Sequence, residues 1–164
     1  ELGVTGLVGD WGGDVNHIPV REAFPWTPDP DYPGTAAFYK DTGIWWDQSY
    51  FEQGGAERMA LSVQRNDPTS LWNHYRDLIA LRKEYPVLRR GGYARIETEH
   101  PGVLAFTREN DADRITVALN LSPEPISISF ASLNPSRSTE QLFGQGVMAD
   151  DALSLAPFAF SVLR

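Results

Sequence analysis

The sequence contains no cysteine, which removes disulfide bridges, thiolate metal sites and a cysteine nucleophile from consideration and leaves the redox compartment open. It has no apolar run near the roughly 18 residues that a membrane-spanning helix needs. The opening ELGVTGLVGDWGG has neither the basic nor the apolar region of a signal peptide. Basic residues are in deficit: 14 against 22 acidic give a formal net charge of −8, the wrong sign for neutralising phosphates or holding an anionic membrane surface. The expectation is therefore no nucleic-acid partner and no membrane segment in this chain. His17, His74 and His100 are scattered without ligand spacing, and neither a metal nor a cofactor is expected. Methionine is also missing from position 1, where Glu1 stands; the chain is expected to be part of a longer polypeptide or to have lost a leading segment.

What is present has a clear centre. In SLWNHYRDLIALRKEYPVLRRGG, Ser70 to Gly92, the residues Leu71, Tyr75, Leu78, Ile79 and Arg82 recur with helical spacing, and Asn73, Arg76, Asp77 and Lys83 lie off that stripe. The spacing predicts an amphipathic helix over Ser70–Tyr85. Asp67, Pro68 and Thr69 form a favourable helix start, and Pro86 with Gly91 and Gly92 marks its end.

Upstream, residues 1 to about 55 are dense in Gly, Pro, Asp and aromatics with no sustained period, and read as a long irregular loop. Its aromatic side chains, Trp11, Trp26, Trp45 and Trp46 among them, require a surface to pack on. A short helix is expected over Ala56–Gln64. Downstream the period changes to two: Ala94–Thr98, Val103–Arg108, Ile115–Ser122 and Ile126–Phe130 are strand-like runs separated by turn compositions. Weaker strands are expected around Glu140–Phe143 and Ala152–Leu155, with Phe158–Leu163 closing the chain. Short connections make these antiparallel neighbours, and a small sandwich is the natural arrangement.

Four stretches in fixed order carry a family resemblance: the opening ELG, VREAFPW at Val20–Trp26, the NDPTSLWNHYRDLIALRKEYPVLRRG helix, and the strands VLAFTRE, ITVALNLS and LAPFAFSVLR. Together they resemble the C-terminal part of the α-amylase superfamily, glycoside hydrolase family 13. The resemblance implies a mainly β fold with one long helix: a C-terminal antiparallel β-sandwich preceded by the final loop and helix of a (β/α)8 barrel. It places the end of the barrel at residues 1–91 and the sandwich at 92–164. In that family the nucleophilic Asp, the acid/base Glu and the second Asp sit on strands four, five and seven, all upstream of Glu1, so the resemblance implies no catalytic residue here. The implied partners are an α-glucan or malto-oligosaccharide and the remainder of the barrel. A bacterial source is implied, cytoplasmic or secreted.

A retaining glycosidase needs two carboxylates about 5–5.5 Å apart, one poised as acid and one as nucleophile. Glu1, Asp10 and Asp14 are the nearest candidates, but none is set in a context that implies such a pair; surface solvation is strongly favoured for them and no catalytic residue is nominated. Arg21 and Trp26 are carried over as substrate-binding residues, since a guanidinium hydrogen-bonds hydroxyls and an aromatic face stacks on a pyranose. Against this stand an ion pair for Arg21 and a loop anchor for Trp26. The Asp10–Asp14–Asn16 and Asp29–Asp31 clusters offer oxygen donors of the kind calcium takes, but they match no defined ligand spacing, and turn formation is the favoured reading. Asn120-Leu121-Ser122 is a formal glycosylation sequon inside an expected strand. The functional expectation is a fragment of a retaining α-glucan-acting hydrolase, inactive by itself. The alternative is a non-catalytic carbohydrate-binding or partner subunit of the same descent.

Overall fold

The computed structural model describes residues 24–29, 31–35, 55–133 and 140–164. They fall into two compact units that divide between Ile79 and Ala80.

In the first unit, α1 (Gly55–Met59) and α2 (Leu61–Asn66) replace the single helix expected over Ala56–Gln64. The break is at Ala60, fully buried with an extended ψ of 140°. Its physical reason is a change of acceptor. The amides of Leu61 and Ser62 donate to the carbonyls of Pro25 and Trp26, at 2.9 and 3.0 Å, instead of continuing the helical ladder.

The main helix, α3, spans Leu71–Glu84. Its start is capped by Ser70: the Ser70 hydroxyl accepts from the Asn73 amide at 3.2 Å, and Gln64 Oε1 accepts from the Trp72 amide at 3.1 Å. Two of the amides that a helix N-terminus leaves without intrahelical partners are thus satisfied. Asn73 corrects the sequence reading most clearly. Placed there on the polar face, it is only 3% exposed, and its Nδ2 donates to the carbonyls of Gln64 and Asp67 at 2.9 and 2.7 Å. It ties the α2–α3 connection together from inside. The apolar stripe instead lies open: Leu71, Tyr75 and Ile79 are 47%, 52% and 51% exposed.

In the second unit the chain leaves α3, turns through the short helix α4 (Val87–Arg90) and enters eight strands among the described residues. These are β1 (Gly92–Ile96), β2 (Val103–Glu109), β3 (Arg114–Asn120), β4 (Ile126–Ser129), β5 (Gln141–Gly144), β6 (Val147–Ala149), β7 (Ala152–Leu155) and β8 (Phe160–Leu163). A single turn of helix, α5 (Phe130–Leu133), follows β4; this turn and β6 were not foreseen from the sequence. All pairings are antiparallel, in a five-stranded sheet of order β1-β2-β3-β8-β5 and a three-stranded sheet of order β4-β7-β6.

The two sheets share one core. Val103, Ala105, Ala118 and Leu163 of the larger sheet meet Ile128, Leu153 and Leu155 of the smaller, with Leu133 and Ala159 at the margins. This is a β-sandwich. A second cluster lies on the other face of the larger sheet, where Leu81 and Val87 cover Ile115 and Val162, joined by Tyr85, Leu88 and Val117. The alternation in ITVALNLS therefore does not separate a core face from a wet one. Ile115 and Val117 pack under the helices, while Ala118 enters the sandwich. Gly144 ends β5 at φ +115°, where a methyl group would overlap the Phe160 carbonyl, so only glycine fits this position just past the register shift between Gln141 and Phe143.

Asn120 holds the end of β3. Its Nδ2 donates to the carbonyls of Glu124 and Ala156 at 2.7 and 2.9 Å, and its Oδ1 accepts from the Ser122 amide and hydroxyl at 2.9 and 2.8 Å. At 1% exposure it is no glycan acceptor in the folded chain, and the sequon is structural. Leaving such buried groups unpaired costs roughly 1–3 kcal/mol each. We expect Asn120→Ala to lower stability by about 3 kcal/mol and Ser122→Ala by about 1 kcal/mol, read from urea unfolding midpoints; equal, sub-kcal losses would deny Asn120 this role.

Candidate functional site

Of the two residues nominated for sugar contact, Arg21 lies outside the described residues. Trp26 lies within them. Its backbone carbonyl accepts from Ser62 at the start of α2, and Pro25 beside it is buried. The side chain stays 44% exposed, its ring 4.7 Å from that of Phe24 at an interplanar angle of 59°. Trp26 thus has an anchored backbone and an open indole.

The remaining candidates divide in the same way. Asp10, Asp14, Asn16, His17, Trp45 and Trp46 lie outside the described residues. Asp29 and Asp31 form a turn: Asp29 Oδ1 accepts from the Asp31 amide at 2.9 Å and its carbonyl accepts from the Tyr32 amide at 3.2 Å. Turn chemistry accounts for this pair. Among the described residues no group of three His, Asp or Glu could hold a metal ion. His74 is half-buried in α3, with its ring edge-on to Tyr75. His100 is 3.1 Å from the Ser127 carbonyl and links the β1–β2 turn to the smaller sheet.

Next to α3, Trp72 lies between two cations, with the guanidiniums of Arg65 and Arg76 each 5.4 Å from its ring centroid. Arg76 is held in turn by Asp77 at 3.0 Å. The Arg65–Trp72 contact joins α2 to α3 across the connection that Asn73 ties together. Asp67 shapes the same connection: its Oδ1 accepts from the Thr69 hydroxyl at 2.7 Å and the Thr69 amide at 2.8 Å. Those bonds favour the carboxylate and hold its pKa below the ordinary aspartate value. That direction is opposite to what a general acid requires, and Asp67 is a turn residue.

Sequence reasoning overlooked the outer edge of the larger sheet. Tyr93 on β1 is 59% exposed, and its ring is 5.3 Å from that of Phe106 on β2. The available signal was period two itself, which puts Tyr93, Arg95 and Glu97 on one face of an edge strand.

Comparison with known proteins follows the same division. Residues 93–162 match the family model of the maltogenic amylase C-terminal domain. Residues 93–162 form a C-terminal domain of the α-amylase superfamily type. Among curated relatives, the oligo-1,6-glucosidase of Heyndrickxia coagulans is 38% identical over 61 residues, 37% of this chain and 11% of the relative. The trehalose synthase/amylase TreS of Mycobacterium tuberculosis is 29% identical over 133 residues, 78% of this chain and 21% of the relative. The solved structure of the α-glucosyl transfer enzyme XgtA superposes on 86% of this chain and 25% of its own, with 30% identity and a TM-score of 0.63. The chain thus spans 11% to 25% of the length of these three proteins.

Asp67 gives a test of the local chemistry. Because its pKa is lowered on folding, its contribution is present above the unfolded-state value and is lost as pH falls through the folded-state value. In an NMR pH titration the Thr69 amide should shift with a midpoint below 3.8, and Thr69→Ala should move the Asp67 midpoint back toward 3.8.

Proposed function

We propose that this chain is the C-terminal portion of a retaining glycoside hydrolase acting on α-glucans, with residues 1–91 completing a (β/α)8 barrel and residues 92–164 forming the appended sandwich. The observation that carries this reading is the open stripe of α3. Leu71, Tyr75 and Ile79 stand about half exposed on a 14-residue helix that leads directly into the matched sandwich domain. A helix with an uncovered apolar stripe needs a surface to bury it. In this reading the rest of the barrel is that surface, and α3 is the last barrel helix. The relatives' lengths support it, since the chain spans 11% to 21% of the curated relatives described above.

The chemistry divides accordingly. Double displacement needs a nucleophilic carboxylate and an acid/base carboxylate about 5–5.5 Å apart, and this reading assigns both to the polypeptide upstream of Glu1. The segment before α3 then lies where barrel enzymes build their substrate sites, at the C-terminal face of the strands. Arg21 and Trp26 contribute there by hydroxyl hydrogen bonding and ring stacking. On this reading the chain alone is inactive, because both catalytic carboxylates belong to the upstream polypeptide and the chain binds at most part of a substrate.

The test compares the 164-residue chain with a polypeptide extended upstream of Glu1 to the length of the relatives, assayed for glucose release from maltotriose and isomaltose. The short chain should release none above background and the extended one should turn over. In the extended protein, Trp26→Ala should raise KM about tenfold, the loss of roughly 1.4 kcal/mol of stacking. Hydrolysis by the short chain would contradict the proposal. Sugar binding without hydrolysis by the extended protein would favour the non-catalytic carbohydrate-binding or partner subunit.

A further inference from the structure

We propose that the outer edge of the sandwich carries a surface α-glucan-binding platform formed by Tyr93, Arg95, Glu97 and Arg108. The choice of an α-glucan rests on the function proposed above; the platform itself rests on geometry. Strand β1 is one edge of the five-stranded sheet among the described residues, and its odd-numbered positions face away from the sandwich core, into which Ile96 packs. Tyr93 opens this row. Its ring is braced by Phe106, which limits the rotamer freedom that a sugar would otherwise have to freeze out.

Polar groups flank the ring on both sides. Two residues along the strand, at about 7 Å, Arg95 pairs with Glu97 through a 3.3 Å Nε–Oε1 contact, and both side chains are largely exposed. Directly across from Tyr93 in the ladder stands Arg108. It is half-buried, its Nε is shut off from solvent without an acceptor, and it makes no ion pair among the described residues. The shut-off Nε cannot reach a ligand, and the donors Arg108 can offer are its terminal amino groups, which make no hydrogen bond among the described residues.

This combination suits a pyranose. The C–H face of the sugar stacks on an aromatic ring, and its neighbouring hydroxyls meet a planar array of donors and a carboxylate that accepts. Nucleic acid fits poorly, since the row contains a carboxylate and the chain carries a net charge of −8. The arrangement includes no acid and nucleophile facing each other, so its function is retention of polymer and not cleavage.

The test is native affinity electrophoresis of the full 164-residue chain in gels containing amylopectin or hydroxyethylcellulose. Amylopectin should retard the chain. Tyr93→Ala should weaken retardation at least fivefold, Arg95→Ala should weaken it measurably, and Tyr93→Phe should retain it within twofold. Phe158→Ala, which removes an exposed aromatic ring at the β7–β8 turn, should change nothing. Thermal melts identify a variant that has simply unfolded, and Arg95→Ala, altered at an exposed position, keeps the test decisive if Tyr93→Ala does not fold. Amylopectin retardation insensitive to Tyr93 and Arg95 would overturn the platform and leave the proposed function standing. Absence of retardation by amylopectin would also overturn the platform. Equal retardation by the cellulose derivative would overturn the assignment of an α-glucan as the ligand and count against the reading on which it rests.

Discussion

The second unit depends on strands β3 and β8 being buried on both faces. On one side Ala118 and Leu163 meet the smaller sheet; on the other Ile115 and Val162 lie beneath Leu81 of α3 and Val87 of α4. A sheet covered on both sides cannot shift its register by one residue without moving every apolar side chain to the wrong layer. The end of α3 is therefore part of the sandwich's own core. Arg164 reinforces the joint: it pairs with Asp113 at 3.1 Å while its guanidinium lies 5.5 Å from the ring centroid of Tyr85 at the end of the helix.

The beginning of α3 is held differently. There the organising groups are polar and local: the buried amide of Asn73, the hydroxyl cap of Ser70 and the side chain of Gln64. They fix the angle at which the chain enters the helix and leave its apolar stripe uncovered. One helix thus has an end that the sandwich satisfies and a start that is well formed without burying its apolar face. On the proposed reading the two halves answer to two different layers, one within this chain and one in the remainder of a barrel.

Much of this was legible in the sequence because it rests on local rules. The strand runs ending at Leu155 and Leu163 and the helix between Leu71 and Glu84 follow from period and punctuation. What escaped depends on tertiary partners. Ala60 breaks a helix because Pro25 and Trp26 offer competing acceptors, and no local propensity signals that. Asn73 looks like a surface residue until the α2–α3 connection folds over it. β6 is three residues long and exists because β7 pairs with it. Among the candidate residues, Trp26 was nominated through the resemblance, whereas Tyr93 went unnoticed because period two marks the face of an edge strand but not which rings will lie behind it.

The most direct test of the account is residue-resolved amide hydrogen exchange on the 164-residue chain at a concentration where it is monomeric. If the sandwich is self-sufficient and the start of α3 awaits an outside surface, amides of β2, β3 and β8 should exchange only through global unfolding. Those between Leu71 and Ile79 should exchange through local opening at least a hundredfold faster. Equal protection of both sets in a verified monomer would mean that the helix is fully stabilised within this chain, and would contradict the claim that its apolar stripe belongs to an interface with a larger protein.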